Sequence, residues 1–128
     1  MPSPQHRAYH FHLTLRTMRK IERQMLHAIN CPGKRWSNNN TSVRWSDDQS
    51  FVEVLLHGHI IASINWNTNA MSLSDCGWQT TTTKSRLNAL LSGLVPGASI
   101  YQRDYTWYLT YHDKTVEFSD VEHKAFAI

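Results

Sequence analysis

Phe51-Val52-Glu53-Val54-Leu55-Leu56-His57-Gly58-His59-Ile60-Ile61-Ala62-Ser63-Ile64-Asn65-Trp66 is the stretch that decides the fold. Two runs rich in β-branched and apolar residues flank His57-Gly58-His59, and Gly58 stands where a tight hairpin requires a residue tolerant of positive φ. Both strands therefore belong to one antiparallel sheet. Working outward, Val43-Arg44-Trp45 starts an earlier strand and Asp47-Asp48 marks its turn. Asn67-Thr68-Asn69 turns into a short strand at Met71-Ser72-Leu73.

Gly77-Trp78 and the run Thr80-Thr81-Thr82-Thr83 follow. Glycine permits a sharp change of direction, Trp78 reads as an apolar anchor, and each threonine hydroxyl can cap a helix. The helix behind them carries Leu87, Leu90, Leu91 and Leu94 at i, i+3, i+4 and i+7, and Gly93 or Pro96-Gly97 ends it. Ser99–Gln102, Tyr105–Tyr111 and Thr115–Phe118 then read as three more strands, with Tyr105, Trp107, Leu109 and Tyr111 on one face of the second. The tail from Ser119 gives weak signals.

On the N-terminal side, residues 1–12 read as a flexible lead-in. From Leu13 to Ile29 the apolar residues Leu15, Met18, Ile21, Met25, Leu26 and Ile29 recur at helical spacing, and Arg16, Arg19, Lys20 and Arg23 form a basic stripe on another face. Cys31-Pro32-Gly33 closes this helix, and Lys34 to Thr41 reads as loop. The expected organisation is a basic helix and loop over 13–41 as an extension to a small domain over 42–128. The expected class is α+β: an antiparallel β-meander sheet, with a short Leu-rich helix and the N-terminal basic amphipathic helix packed on it.

Residues 1–41 hold seven Lys/Arg against the single acid Glu22, whereas 42–128 hold six bases and nine acids. That asymmetry suggests a basic element meeting a polyanion, with Arg16, Arg19, Lys20, Arg23, Lys34 and Arg35 as the contact residues. The competing reading docks the basic segment on the acidic remainder of its own fold. Thr82, Thr83, Lys84 and Arg86 at the start of the second helix form a candidate anion site, although ordinary capping explains the threonines as well.

No run approaches the roughly 18 apolar residues of a membrane span, and no apolar signal-peptide region opens the chain, so it is expected to stay in the cytoplasm where it is made. Cys31 and Cys76 match no zinc or redox spacing and are expected to be reduced. His57 and His59, two apart, would share a strand face but lack further ligands, and no glycine-rich phosphate loop follows a strand. No nucleophile, base and orienting group come together. The expectation is a protein without metal, cofactor or catalytic residues, leaning away from an enzyme. The five Trp and five Tyr serve the core and cross-strand pairs, and any that are exposed could stack bases or anchor a partner.

Val54–Ala62 with its HG hairpin, the segment Leu73–Asn88 containing Gly77-Trp78, Thr80, Thr82-Thr83-Lys84, Arg86 and Asn88, and Tyr101-Gln102 followed by Trp107-Tyr108 resemble a group of small uncharacterised tailed-bacteriophage proteins. The resemblance runs from about Val43 to Asp120 and leaves out the basic helix. It implies a phage accessory protein acting in the host bacterial cytoplasm, and no catalytic residue is carried over. Two functions follow as expectations. One is binding of nucleic acid, or of a nucleic-acid-handling host complex, through the basic helix. The other is inhibition of a host enzyme or defence system by protein contact. Self-association stays open.

Overall fold

The computed structural model of the chain describes residues 18–118 and 124–128. The lead-in over 1–12 and the first residues of the expected basic helix, Arg16 among them, lie outside the described residues.

The hairpin forms as its sequence dictates. Strands β3 (Phe51–Leu56) and β4 (His59–Asn65) pair antiparallel, joined by His57 and Gly58 at φ 51° and 80°. A two-residue turn with both central residues left-handed matches the twist of the strands it joins. Between the pairs Val54↔Ala62 and Leu55↔Ile60, β4 carries the extra residue Ile61, a β-bulge. Its effect is to bury Ile61 as well as Ala62 and to turn the hairpin tip relative to the rest of the strand.

Around this hairpin lies a six-stranded antiparallel sheet of order β1-β2-β3-β4-β5-β9. Its other members are β1 (Trp36–Asn38), β2 (Thr41–Trp45), β5 (Ala70–Leu73) and β9 (Lys124–Ala127). The loop expected over Lys34 to Thr41 is thus a hairpin, made possible by Asn39 at φ 55°. The tail contributes β9, which closes the sheet beside β5. After the second helix, β6 (Ser99–Arg103), β7 (Thr106–Tyr111) and β8 (Lys114–Glu117) form a separate three-stranded antiparallel sheet. The class is α+β with antiparallel meanders, as the sequence predicts.

The helices are α1 (Lys20–Ile29) and α2 (Thr81–Leu94). Helix α1 begins later than the spacing predicts: Arg19, at ψ 150°, is its N-cap. Met25, Leu26, Ala28 and Ile29 of α1 join Leu87, Leu90, Leu91 and Leu94 of α2 and the sheet residues Val43, Val52, Val54, Ala62, Ile64, Met71 and Leu73 in one core. Phe126 of β9 belongs to the same core, and its ring meets Tyr111 of β7 edge-on at 6.0 Å. Helix α1 packs on β1, β2, β3 and α2, while α2 packs on β4 and β6.

The helix ends show how tightly the parts are tied. An α-helix leaves its last carbonyls without internal partners. Here the Trp45 indole donates to the Ala28 carbonyl at 3.1 Å, the Trp66 indole to that of Ile29 at 3.2 Å, and the Asn30 amide to that of Leu26 at 2.7 Å. At the start of α2, Thr80 accepts from the Thr83 amide at 3.1 Å.

Candidate functional site

One end of the molecule collects the features that the fold does not use up. Helix α1 is fixed there by Glu22, which occupies a core-facing position and is 4% exposed. Its carboxylate accepts from Arg86 Nη1 at 2.8 Å and from the Ser85 hydroxyl. Arg86 Nε donates to Thr41 Oγ1 at 3.0 Å and its Nη2 to Asn40 Oδ1 at 3.3 Å. The His57 amide donates to the Asn40 carbonyl at 2.8 Å. This chain of bonds places the first turns of α1 and α2 beside the tips of the β1–β2 and β3–β4 hairpins.

The predicted contact residues separate into two groups. Arg19, Lys20 and Arg23 are exposed at the N-terminal end of α1. Lys34 and Arg35 are exposed beyond its C-terminal end, and Arg35 lines a different groove with Gly33, Arg44, Asp47 and Gln49. A ten-residue helix is about 15 Å long, so the two groups form distinct patches. The ion pairs among the described residues are Arg86–Glu22 and the exposed Arg44–Glu53. The α1 cations have no acid of their own element to face, because Glu22 is turned inward to Arg86.

The same geometry places the residues of the expected anion site. Arg86 is 4% exposed and committed to Glu22, Thr41 and Asn40. Thr83 is buried with its hydroxyl 2.9 Å from that of Thr80. Only Thr82 and Lys84 of that set are partly open to solvent.

A cleft of about 480 Å³ lies between the β3–β4 hairpin and the segment leading into α2. Its walls include Leu56, His57, His59 and Ile61 on one side and Asp75, Cys76, Trp78, Thr80, Thr82 and Thr83 on the other. Both walls are stiff. The Trp78 amide donates to the Asp75 carbonyl at 2.8 Å across Cys76 and Gly77, at φ 54° and 80°. Asp75 is buried, and its carboxylate accepts from the Gly77 amide at 2.9 Å and from the Gln79 side chain at 3.0 Å. The bulge bridges the two walls: the Ser74 amide donates to the Ile61 carbonyl at 2.9 Å, and the Cys76 thiol to the Ile60 carbonyl at 2.9 Å.

Trp78 is not the core anchor its sequence suggests. It is 59% exposed, with its ring centroid 6.2 Å from that of His59. Tyr105, expected on the face of a strand with Trp107, lies at the tip of the β6–β7 hairpin at φ 67° and is 94% exposed. His57 and His59 do not share a strand face, because His57 forms the turn. Cys31 and Cys76 are both free thiols. Among the described residues no group of three or more His, Cys, Asp or Glu side chains is placed to hold a metal ion. No helix among them is long and apolar enough to cross a membrane.

The resembling segments acquire physical roles. Thr80 caps α2, Arg86 joins the two helices to the β1–β2 hairpin, and Asn88 bonds both backbone groups of Ile100, donating to its carbonyl at 2.8 Å and accepting from its amide at 2.7 Å. The HG pair is the hairpin turn itself. His59, Trp78 and Thr82 remain, turned toward the cleft.

The fold and site define a small α+β domain with the exposed Arg19, Lys20 and Arg23 and an aromatic cleft at one end. The chain belongs to the Kyanoviridae Gp96 protein family, a family of phage proteins, which it matches over residues 18–125. The match takes in α1, which the resemblance over Val43 to Asp120 had left out. No curated protein and no solved structure matches the chain.

Proposed function

We propose that this phage protein binds nucleic acid, or a nucleic-acid-handling host complex, through the exposed cations at the start of α1. The observation that carries the reading is the inward turn of Glu22. The helix docks through its apolar face and its one acid, and leaves Arg19, Lys20 and Arg23 in solvent with no ion pair among the described residues. Docking of the basic stripe on the acidic remainder of the chain would need the opposite arrangement. Neutralised phosphates release counterions, which makes such binding steeply salt-dependent.

A salt titration of DNA and RNA binding tests it. Affinity should fall as salt rises, and replacing Arg19, Lys20 and Arg23 together by Ala should make the log–log slope shallower by about 2–3. These side chains are exposed, so the variant keeps its fold. Absence of binding at low salt refutes the proposal. Inhibition of a host protein is the second reading, favoured by Trp78 and Tyr105, two large aromatic side chains left in solvent. Recovery of one stoichiometric host protein from a nuclease-treated bacterial lysate, lost on Trp78→Ala or Tyr105→Ala, would support that reading instead.

A further inference from the structure

The Trp78 cleft presents an exposed indole beside an imidazole, with ring centroids 6.2 Å apart and planes tilted by 32°. A tryptophan in solvent forfeits the burial that makes it useful to a core, yet this one is held in place by a turn whose backbone and Asp75 carboxylate are fully engaged. The facing hairpin is equally fixed through the bulge at Ile61 and the bond from His57 to Asn40. The walls therefore offer an indole and an imidazole at a set separation over the apolar floor of Leu56 and Ile61. Aromatic surface on a preorganised backbone binds planar groups at a reduced ordering cost.

Charge says which planar group. Asp75 is the acid lining the cleft, and hydrogen bonds within the protein occupy both of its oxygens. Thr82, on the cleft wall, lies one helical turn before Arg86, and Arg19 lies one turn before Glu22. The Arg86–Glu22 bond sets these two turns side by side, and Leu26 meets Gly93 further along, so the helices start at the same end of the molecule and Arg19, Lys20 and Arg23 stand at the end that holds the cleft. Aromatic surface at the same end as a row of cations with no ion pair among the described residues complements a nucleotide chain: a π-face for the base and positive charge for the phosphates that follow it. A base inside a duplex is stacked on both sides and is excluded from such a surface.

We propose that the cleft seats one unstacked base of a single-stranded nucleic acid on Trp78 and His59, its backbone running toward the cations of α1. This rests on the nucleic-acid reading and names its substrate class. DNA and RNA share the chemistry, and both belong in the test.

The experiment uses the full chain with fluorescein-labelled oligothymidylate and oligouridylate of about 15 nucleotides, beside a duplex of the same length. Single strands should bind more tightly than the duplex. Trp78→Ala should weaken single-strand binding about 5- to 150-fold and leave duplex binding where it was, and Trp78→Phe should recover most of the loss. Quenching of the Trp78 part of the tryptophan fluorescence by unlabelled oligothymidylate should vanish in Trp78→Phe. Because Trp78 is a surface residue, an unchanged far-ultraviolet circular dichroism spectrum and melting temperature would accompany these effects. Single-strand affinity unaltered by Trp78→Ala overturns the cleft proposal while the nucleic-acid reading stands, provided the Arg19, Lys20 and Arg23 variant still loses binding. Failure of every oligonucleotide to bind at low salt overturns both. Loss of a host protein rather than of oligonucleotide on Trp78→Ala gives the cleft to a protein partner and overturns the proposal.

Discussion

Removing the Glu22 carboxylate should destabilise the chain more than removing any other single charge in the described structure. Glu22 and Arg86 have side chains 5% exposed each and sit 2.8 Å apart. Unit charges at contact attract by about 4 kcal/mol at an effective dielectric near 20, and breaking a buried pair typically costs about 3–5 kcal/mol because the surviving charge stays buried. In Glu22→Ala the guanidinium keeps Thr41 and Asn40 as acceptors but has no counter-charge, so the full range applies. For a chain of 128 residues this corresponds to a fall of about 12–20 °C in melting temperature. The assay is urea and thermal unfolding followed by circular dichroism, on Glu22→Leu, Glu22→Ala, Arg86→Met and the double variant Glu22→Leu/Arg86→Met. The double variant should recover at least about 2 kcal/mol relative to the worse single, since two apolar side chains replace two charges. The exposed pair Arg44–Glu53 is an internal control: it is equally short at 2.7 Å, but its Arg44 side chain is 61% exposed, so Glu53→Ala should cost no more than about 1 kcal/mol. Equal costs for Glu22→Ala and Glu53→Ala, or a double variant as unstable as the sum of its singles, would refute the reasoning.

Gly93 lies inside α2 where α1 crosses it, and a Cβ there would meet Leu26 Cδ2 at 3.0 Å and Cδ1 at 3.2 Å. Gly93→Ala gains about 1 kcal/mol of helix propensity but crowds a fully buried Leu26, for a net loss of up to about 2 kcal/mol in a denaturant melt, relieved by adding Leu26→Val. Asp48 accepts from the Ser46 hydroxyl and from the Ser50 hydroxyl and amide, which lower its pKa from 3.8 to about 2. A carboxyl whose folded pKa is depressed favours the fold above its unfolded value and loses that contribution as pH falls through the folded one. Asp48→Asn should therefore melt below the parent protein at neutral pH, with the gap closing between pH 3.8 and about 2.

Short-range patterns were the legible ones. The β3–β4 hairpin follows from two apolar runs around His57-Gly58, and α2 from its leucine spacing and threonine cap. Strand β1 is only Trp36-Ser37-Asn38, too short and polar to announce itself, and β9 exists by pairing with β5 some fifty residues earlier. Long-range pairing leaves little trace in local propensity. The Glu22–Arg86 pair did leave one. Glu22, Met25, Leu26 and Ile29 fall at i, i+3, i+4 and i+7, so the acid stands on the apolar stripe of its helix and requires a buried base. Read that way, Arg86 is Glu22's partner before it is anyone's anion site. Trp78 was legible only as a large apolar side chain. Its exposure depends on Asp75 closing the turn, which no spacing encodes.

These placements divide the resembling segments by physical necessity. Thr80, Arg86 and Asn88 each satisfy backbone or buried polar groups that would otherwise be stranded, so the fold alone demands them. Gly58 and Gly77 supply left-handed turns. No comparable demand falls on Trp78: a polar residue after the same turn would leave the Asp75 bonds intact and remove an exposed indole from water. The turn at Gly77 and the bulge at Ile61 both spend backbone regularity on aiming surface groups, one the indole and the other the histidine hairpin, and they aim them into the same cleft. The bulge also buries Ile61 beside Ala62, so the core accounts for part of it, whereas burial does not account for the exposed indole. On the proposal made above, the basic helix and the Trp78 segment, far apart in sequence, would be two halves of one binding surface, joined by the buried bond between Glu22 and Arg86.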